Sequence, residues 1–483
     1  MKRVCAMMLL AALVATCGAQ AAEPATTTAQ RRPNVVVFLV DDLGLHDLGY
    51  TGSKFYESPN ADALASRGCV FTNAYAACCV CSPTRAAMLT GKYPQRLGIT
   101  EWIGGPQPEQ AKRLPRYKDR LLPAPYKEQL ALEETTLAEA LKDAGYATFF
   151  AGKWHLGREP FYPDKQGFEV TFGASWRGSP GKDGYFSPYN VPLAPGPKGE
   201  HLDLRLATEA ARWIGQQPRD KPFLVYFALY DVHVPLMAPQ QTVEYFEQKR
   251  KRLGLTDEFG KEGDSKLRLN QSHAVYAAMI KTMDEAIGIV MKQLESQGLL
   301  DDTIIVFTSD NGGVSTAEGW PTSNAPLRAG KGWGYEGGVR EPMLIIAPGV
   351  TRAGSHADDP AISMDFFPTL LDLCGLPLRP KDHLDGISLV PALRGEKLAQ
   401  RPLFWHYPHY GNQGGEPYSA IRDRDWKLIV FHDPRHAPEL YNLAVDPSEA
   451  HNLVAQEPQK VEQLRAKLQR WKKDVGAVDA SPL

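Results

Sequence analysis

The sequence predicts an α/β fold: a large, mixed but mostly parallel sheet sandwiched by helices, plus a small C-terminal α+β part with an antiparallel sheet. Three observations predict it. Four apolar runs stop abruptly at charged or amide residues, helical patterns separate them, and this alternation gives way near Arg401.

The first run, "NVVVFLVDD" (34–42), ends in Asp41 and Asp42. "YATFFAGKWHLG" (146–157) ends in Lys153 and His155, "PFLVYFALYDVHVP" (222–235) in Asp231 and His233, and "DTIIVFTSDNG" (302–312) in Asp310 and Asn311. Continuous apolar runs of this length read as strands buried on both faces. Between them, Thr136 caps a helix over 137–144 with Leu137, Leu141 and Ala144 on one face, stopped by Gly145. A longer helix over 273–297 carries Val275, Met279, Met283, Ile287, Val290 and Leu294 at helical spacing before Gly298. Strand, helix, strand in this order implies parallel pairing, and ligands of such sheets sit beyond the carboxyl ends of the strands. The four polar clusters are therefore expected to converge on one site. Beyond 401, "YSAIRDRDWKLIVFH" (418–432) reads as a hairpin turning at Arg424-Asp425, and 456–475 as a closing amphipathic helix. The loop at 405–415 is expected to reach over the site, its glycine-rich end (411–415) acting as a mobile lid.

The N-terminus has the layout of a secretory signal peptide: Met1-Lys2-Arg3, an apolar run from Val4 to Val14, and the small-residue triplet Ala19-Gln20-Ala21. The alternative is lipoprotein anchoring through Cys17, for which Thr16 is a poor fit. The expected organisation is a signal peptide (1–21), a flexible leader (22–32), a catalytic α/β domain (33–400) and a C-terminal subdomain (401–483) in an exported, periplasmic or secreted protein. No later run is long and apolar enough to span a bilayer. With 54 basic and 56 acidic residues the chain has no charge bias toward nucleic acid or anionic membranes. The basic run 249–252 reads as a solvated helix face.

Asp41, Asp42, Asp310 and Asn311 offer only oxygen donors, the set a hard divalent cation prefers, calcium before zinc. Lys153, His155, His233 and Lys331, the last in "RAGKGWGYEGG" (328–338), add donors beside it. A metal with several cations facing one point describes a pocket for a small tetrahedral oxyanion. Five cysteines follow the signal: Cys69, Cys78, Cys79, Cys81 and Cys374. Their spacing makes a poor tetrahedral zinc set, and disulfides, such as one from Cys78 or Cys79 to Cys69, stay open.

"CSPTRAAMLTGKYP" (81–94) resembles the signature of the sulfatases, in which a cysteine followed by proline two residues later and arginine two after that is oxidised to formylglycine. "DDLG" (41–44), "GKWHLG" (152–157), His233-x-Pro235, "SDNG" (309–312) and "GKGWGYEGGVREP" (330–342) follow in the family's order. The similarity runs through "AIRDRDWKLI" (420–429) and "ELYNLAVDPSEAHNL" (439–453), with Thr84 where serine is common. The resemblance implies an alkaline-phosphatase-like fold and sulfate-ester hydrolysis. It further implies 3-oxoalanine (formylglycine) made from Cys81 by a maturation enzyme, and Ca2+ held by Asp41, Asp42, Asp310, Asn311 and the modified Cys81. Arg85 would bond the formylglycine and Lys153 and Lys331 the sulfate oxygens; His233 would protonate the leaving alcohol and His155 accept a proton as sulfate is expelled.

Two segments, "GITEWIGG" (98–105) and "ASWRGSPGKDGYFSPYN" (174–190), look like those of bacterial polysaccharide sulfatases acting on sulfated galactose or N-acetylgalactosamine. Trp102, Trp176, Arg177, Trp405, His406, His409 and Tyr410 are aromatic or donor residues of the kind that line a sugar pocket. Two alternatives share the fold: a formylglycine-dependent phosphonate or phosphate-ester hydrolase, and a non-catalytic glycan-binding relative.

Overall fold

Residues 31–482 apart from Asp119 are described in a computed structural model. The predicted signal peptide, with Cys17, and most of the leader lie outside the described residues. Eight strands form the main sheet: β1 (Asn34–Val40), β2 (Cys69–Phe71), β3 (Ala147–Lys153), β4 (Val170–Ser175), β5 (Phe223–Ala228), β6 (Thr303–Ser309), β7 (Met343–Ile346) and β8 (Ser355–Ala357). Their order is β8-β2-β7-β6-β1-β5-β3-β4. The run β6-β1-β5-β3-β4 is parallel, while β7 joins β6 and β2 antiparallel.

Side chains leave a strand on alternate faces, and β1 shows why its run is apolar throughout. Val36, Phe38 and Val40 enter one core layer, and Val35, Val37 and Leu39 the other. Helices α3 (Leu202–Gly215) and α4 (Ala274–Ser296) pack into the first layer. In α4, Met279, Met283, Ile287, Val290 and Leu294 are buried, whereas Val275 at its first turn is half-buried. The second layer receives α1 (Cys81–Thr90) and α2 (Leu137–Asp143). Thr136 caps α2 as expected: its Oγ1 accepts from Glu139 N at 3.1 Å while Glu139 Oε2 accepts from Thr136 N at 2.8 Å.

The small sheet is antiparallel, β9 (Leu403–Tyr407), β10 (Tyr418–Asp423), β11 (Trp426–Phe431) and β12 (Glu439–Asn442), with β10 and β11 joined at Arg424-Asp425. Helix α5 (Pro458–Asp474) closes it through Val461, Leu464, Leu468 and Trp471. None of the described helices is long and apolar enough to cross a membrane. The basic run ends a helix over Gln240–Arg252, with Lys249 and Arg250 paired to Glu57 and Asp257 and the last two residues exposed.

One open alternative is closed and one expectation is corrected. The five described cysteines are all free and buried, so no disulfide joins Cys78 or Cys79 to Cys69. Cys78 and Cys79 lie in the apolar seam between α1 and the small sheet, where burial pushes the Cys78 thiol up. The stretch 411–415 is a fastened turn: Gly411 N donates to Gly415 O at 3.0 Å, and Gln413 O accepts from Thr316 Oγ1 and Trp333 Nε1 at 2.7 and 3.0 Å.

A buried ionic cluster joins the small sheet to the glycine-rich loop. Lys427 Nζ on β11 meets Glu336 and Glu449, both at 2.9 Å, and Tyr75 Oη donates to Glu336 at 2.7 Å. Against the cost of burial, Lys427 holds the Glu336 carboxyl below its usual range. Burial outweighs the same lysine at Glu449 and pushes its carboxyl up to about 7. Lys427→Met strands two facing buried glutamates and is expected to cost roughly 3–5 kcal/mol, part of it recovered by adding Glu449→Gln. Denaturant titration of both variants checks this; a loss under about 1 kcal/mol for Lys427→Met would mean that the cluster does not hold the two parts together.

Candidate active site

The ends of β1, β5 and β6 are stitched into one floor. Asp41 N donates to Asp231 O, Val232 N to Asp41 O, and Asp310 N to Val40 O, at 2.9 to 3.2 Å. Asp42 adopts the left-handed region (φ 60°), which a short polar side chain tolerates. Its N–H donates to Asp310 Oδ1 at 3.2 Å, and its Oδ1 accepts from Asn311 Nδ2 at 2.8 Å. Asp41, Asp42, Asp310 and Asn311 are thus brought together, each at most 1 % exposed.

Three cations answer these carboxylates. Lys153, ending β3, donates to Asp41 Oδ2 at 2.5 Å, and Lys331 to Asp42 Oδ2 at 2.7 Å. Arg85, on α1, donates from Nε to Asp310 Oδ2 at 2.7 Å and from Nη1 to Lys153 O at 2.8 Å. The compensation is uneven. Burial holds the Asp41 carboxyl well above its usual range, with Asp310 and Asp42 adding to it against Lys153. At Asp42 burial acts the same way, but Lys331 and His233 overcome it and hold the carboxyl well below that range.

Cys81 opens α1, and its Sγ lies 3.4 Å from His155 Nδ1. His155 Nε2 lies 2.9 Å from Ile103 O. A carbonyl only accepts, so Nε2 carries the proton and the Nδ1 lone pair faces position 81. By the same argument His233 carries its proton on Nδ1, 2.8 Å from Val234 O, leaving Nε2 toward Asp42 Oδ2 at 3.6 Å. Burial depresses both imidazoles, helped by Lys153 at His155 and Lys331 at His233. Burial also raises the Cys81 thiol, against the pull of Lys153 and Lys331.

Two buried acceptors, Asp41 Oδ1 and Asn311 Oδ1, have no hydrogen-bond partner. Leaving such atoms unpaired is costly. Nearest-approach oxygens of Asp41 and Asp42 lie with His233 within 4.8 Å of one another. An oxygen-only donor set with orphaned acceptors and like charges at close range fits a hard divalent cation.

The sugar-pocket residues divide. Trp176 stands at the rim of a cavity beside the site, with Arg177 5.8 Å from its ring, and Trp102 is half-buried against the apolar seam between α1 and the small sheet. His406 and His409 are both buried, His406 with both ring nitrogens bonded within the protein and His409 with Nε2 bonded and Nδ1 without a hydrogen-bond partner. His406 bonds Ser419 Oγ (2.8 Å) and Val478 O (2.9 Å), and His409 Nε2 bonds Thr100 Oγ1 (3.0 Å). His406, His432 and Asp479 also cluster within 4.8 Å. There His406 Nε2–H is committed to Val478 O and His432 Nδ1 accepts from Ala480 N (3.2 Å), so the group fastens the C-terminal tail. Trp405 donates to Ala76 O, and Tyr410 Oη accepts from Leu121 N.

Sequence reasoning missed the supports. Asp203 accepts from Tyr230 N and Asp231 N (3.2 and 2.6 Å), fixing the turn that carries His233. Ser82 Oγ donates to His155 O at 3.0 Å and accepts from Ile103 N at 3.1 Å. Lys331 depends on Gly330, where a Cβ would stand 2.3 Å from Gly313 O and 2.6 Å from Asn324 Nδ2 and Ser315 Oγ. Gly330→Ala is expected to displace Lys331, lowering kcat/KM at least about tenfold. Wild-type kinetics for the variant would mean that Lys331 is not held by this contact.

A family model described as Sulfatase matches residues 33–376, and one described as N-sulphoglucosamine sulphohydrolase, C-terminal, matches 329–474. The chain is 33% identical over 478 residues to arylsulfatase A of Homo sapiens, covering 88% of this chain and 84% of the relative. To N-acetylgalactosamine-6-sulfatase of Homo sapiens it is 33% identical over 402 residues, covering 78% and 69%. Among solved structures, Ps i-CgsB superposes with a TM-score of 0.74 at 27% identity, covering 91% of this chain and 93% of that one. A phosphonate monoester hydrolase of Agrobacterium radiobacter shares the fold at a TM-score of 0.63 and 24% identity, covering 92% and 96%. The alkaline-phosphatase-like sheet, the converged polar clusters and these matches together establish that this chain belongs to the sulfatase family and is a sulfuric ester hydrolase.

Proposed function

We propose that the protein is an exported sulfatase acting on sulfated carbohydrate of the galactose or N-acetylgalactosamine type, with formylglycine made from Cys81 by a maturation enzyme and a calcium ion held by Asp41, Asp42, Asp310 and Asn311. The observation that carries this reading is the arrangement around Cys81: four oxygen donors, two with orphaned acceptors, and three cations on buried side chains. The carbohydrate assignment draws on the N-acetylgalactosamine-6-sulfatase relative and on Ps i-CgsB, also solved with k-i-k-neocarrahexaose.

When present, a formylglycine at position 81 would supply a hydrated aldehyde as nucleophile, and a calcium ion held by Asp41, Asp42, Asp310 and Asn311 would supply positive charge. The chain's residues do the rest. Lys153 and Lys331, held on either side by Asp41 and Asp42, bind the sulfate oxygens as their charge shifts. Arg85, whose Nη2 is buried without a hydrogen-bond partner, offers that donor to the group at 81. His155 Nδ1 takes a proton from a hydroxyl at position 81. His233 Nε2 is the nitrogen left free to carry a proton to the leaving oxygen; burial and Lys331 disfavour the imidazolium and Asp42, 3.6 Å away, opposes them, so the proton is held weakly and given up readily.

The intact-peptide mass of protein from the native host is expected to show an aldehyde in place of the Cys81 thiol, with Cys78 and Cys79 unchanged. An unmodified Cys81 in active enzyme would remove this chemistry.

A nitrophenolate leaves without a proton, whereas a sugar alkoxide does not. His233→Ala is therefore expected to lower kcat/KM for a sulfated sugar by about 10²–10⁴-fold and for nitrophenyl sulfate far less. Equal losses on both would pass the acid role to His155. Matched nitrophenyl phosphate and phosphonate esters, tested alongside, should be the poorer substrates.

A further inference from the structure

A cavity of about 180 Å³ opens beside the reaction site. Ile103, whose carbonyl takes the His155 Nε2–H at 2.9 Å, lines it together with Gly104, so one residue separates it from the imidazole facing Cys81. One side is the Trp176 indole, with the guanidinium of Arg158 stacked on it, 3.7 Å from the ring centroid. Glu128 and Glu159 also line the cavity. Among the described residues neither forms an ion pair with Arg158, and no hydrogen bond engages its guanidinium.

A cation stacked flat on an indole keeps its N–H edge free for a planar or tetrahedral anion. It is held in place without using a donor, so little ordering cost remains for binding. The two carboxylates accept hydroxyl hydrogen bonds and disfavour negative charge anywhere except at the guanidinium. An aromatic face, hydroxyl acceptors and one oriented cation are the parts of a saccharide subsite with a place for one anionic substituent.

We infer that Arg158 and Trp176 form a subsite for the sugar next to the one that is desulfated, and that Arg158 selects saccharides carrying a second anionic group, sulfate or carboxylate, on that neighbouring sugar. This rests on the sulfated-carbohydrate reading above and adds to it that the substrate is a polyanionic saccharide recognised across at least two units. Arg158 is a specificity residue here, since it touches substrate away from the reacting atoms.

The test is inhibition of nitrophenyl sulfate turnover by four probes: inorganic sulfate, a galactose disaccharide with one sulfate, the same disaccharide with a sulfate on each sugar, and a sulfated N-acetylgalactosamine–uronate disaccharide. Inorganic sulfate fills only the sulfate pocket. In wild type the second anion is expected to tighten Ki by about 10–100-fold over the singly sulfated disaccharide, the range of one charge-assisted contact. The disulfated and uronate arms tell which anion is preferred. Arg158→Ala is expected to erase that gain, and Arg158→Lys to restore it in part, because the charge returns without the planar stack. No gain in wild type, a gain that survives Arg158→Ala, or an equal weakening of all four probes overturns the inference. Calorimetric titration of the same probes reads the subsite without turnover, so a mature enzyme inert toward nitrophenyl sulfate would count against the reaction alone.

Discussion

Like charge held out of water at the ends of β1 and β6 is the constraint on which the rest of this structure depends. Asp41, Asp42 and Asp310 are essentially inaccessible, and the floor of backbone hydrogen bonds beneath them prevents their moving apart. Two unit charges 4 Å apart repel by about 4 kcal/mol even at an effective dielectric of 20. The structure answers with Arg85, Lys153 and Lys331, each from a different element, and burial still holds the Asp41 carboxyl well above its usual range. On the proposed function, the same three side-chain cations that pair the acids would also meet the sulfate, so a cation and an oxyanion would arrive together.

Much of the remaining fold keeps those cations in place. Lys331 lies in a glycine-rich loop whose backbone packs against Gly313 and Cys79, and Glu336 in the same loop is tied to Lys427 and Tyr75. Arg328 in that loop reaches Tyr441 Oη on β12 and Glu262. The small sheet therefore acts on the chemistry through the loop it grips, and the fastened turn at 411–415 packs on Gly332 beside Lys331. The expected mobile lid is instead part of the wall.

The strands that carry chemistry were legible because burial on both faces demands unbroken apolar runs, so a polar group directly beyond such a run stands out. The α2 cap, the hairpin at Arg424-Asp425 and α5 were legible from local rules of the same kind. The antiparallel β7 was not read from the sequence, since a four-residue apolar run carries no direction. The surroundings of His406 and His409 were not legible, because an aromatic donor in a loop or short strand has the same composition whether it meets a sugar or a neighbouring serine; their burial and their bonds to Ser419, Val478 and Thr100 are set by tertiary placement. Arg158 was invisible for the same reason. Its meaning lies in stacking on Trp176 and in lacking a carboxylate partner, both set by tertiary placement.

The most direct test of a cation held by these carboxylates is the unfolding free energy of metal-free protein, verified by elemental analysis, measured against free calcium concentration. Stability should rise with the logarithm of calcium, by about 2.7 kcal/mol at a hundredfold excess over the dissociation constant, and Asp41→Asn should flatten that rise. Wild-type stability that is independent of calcium would contradict the account.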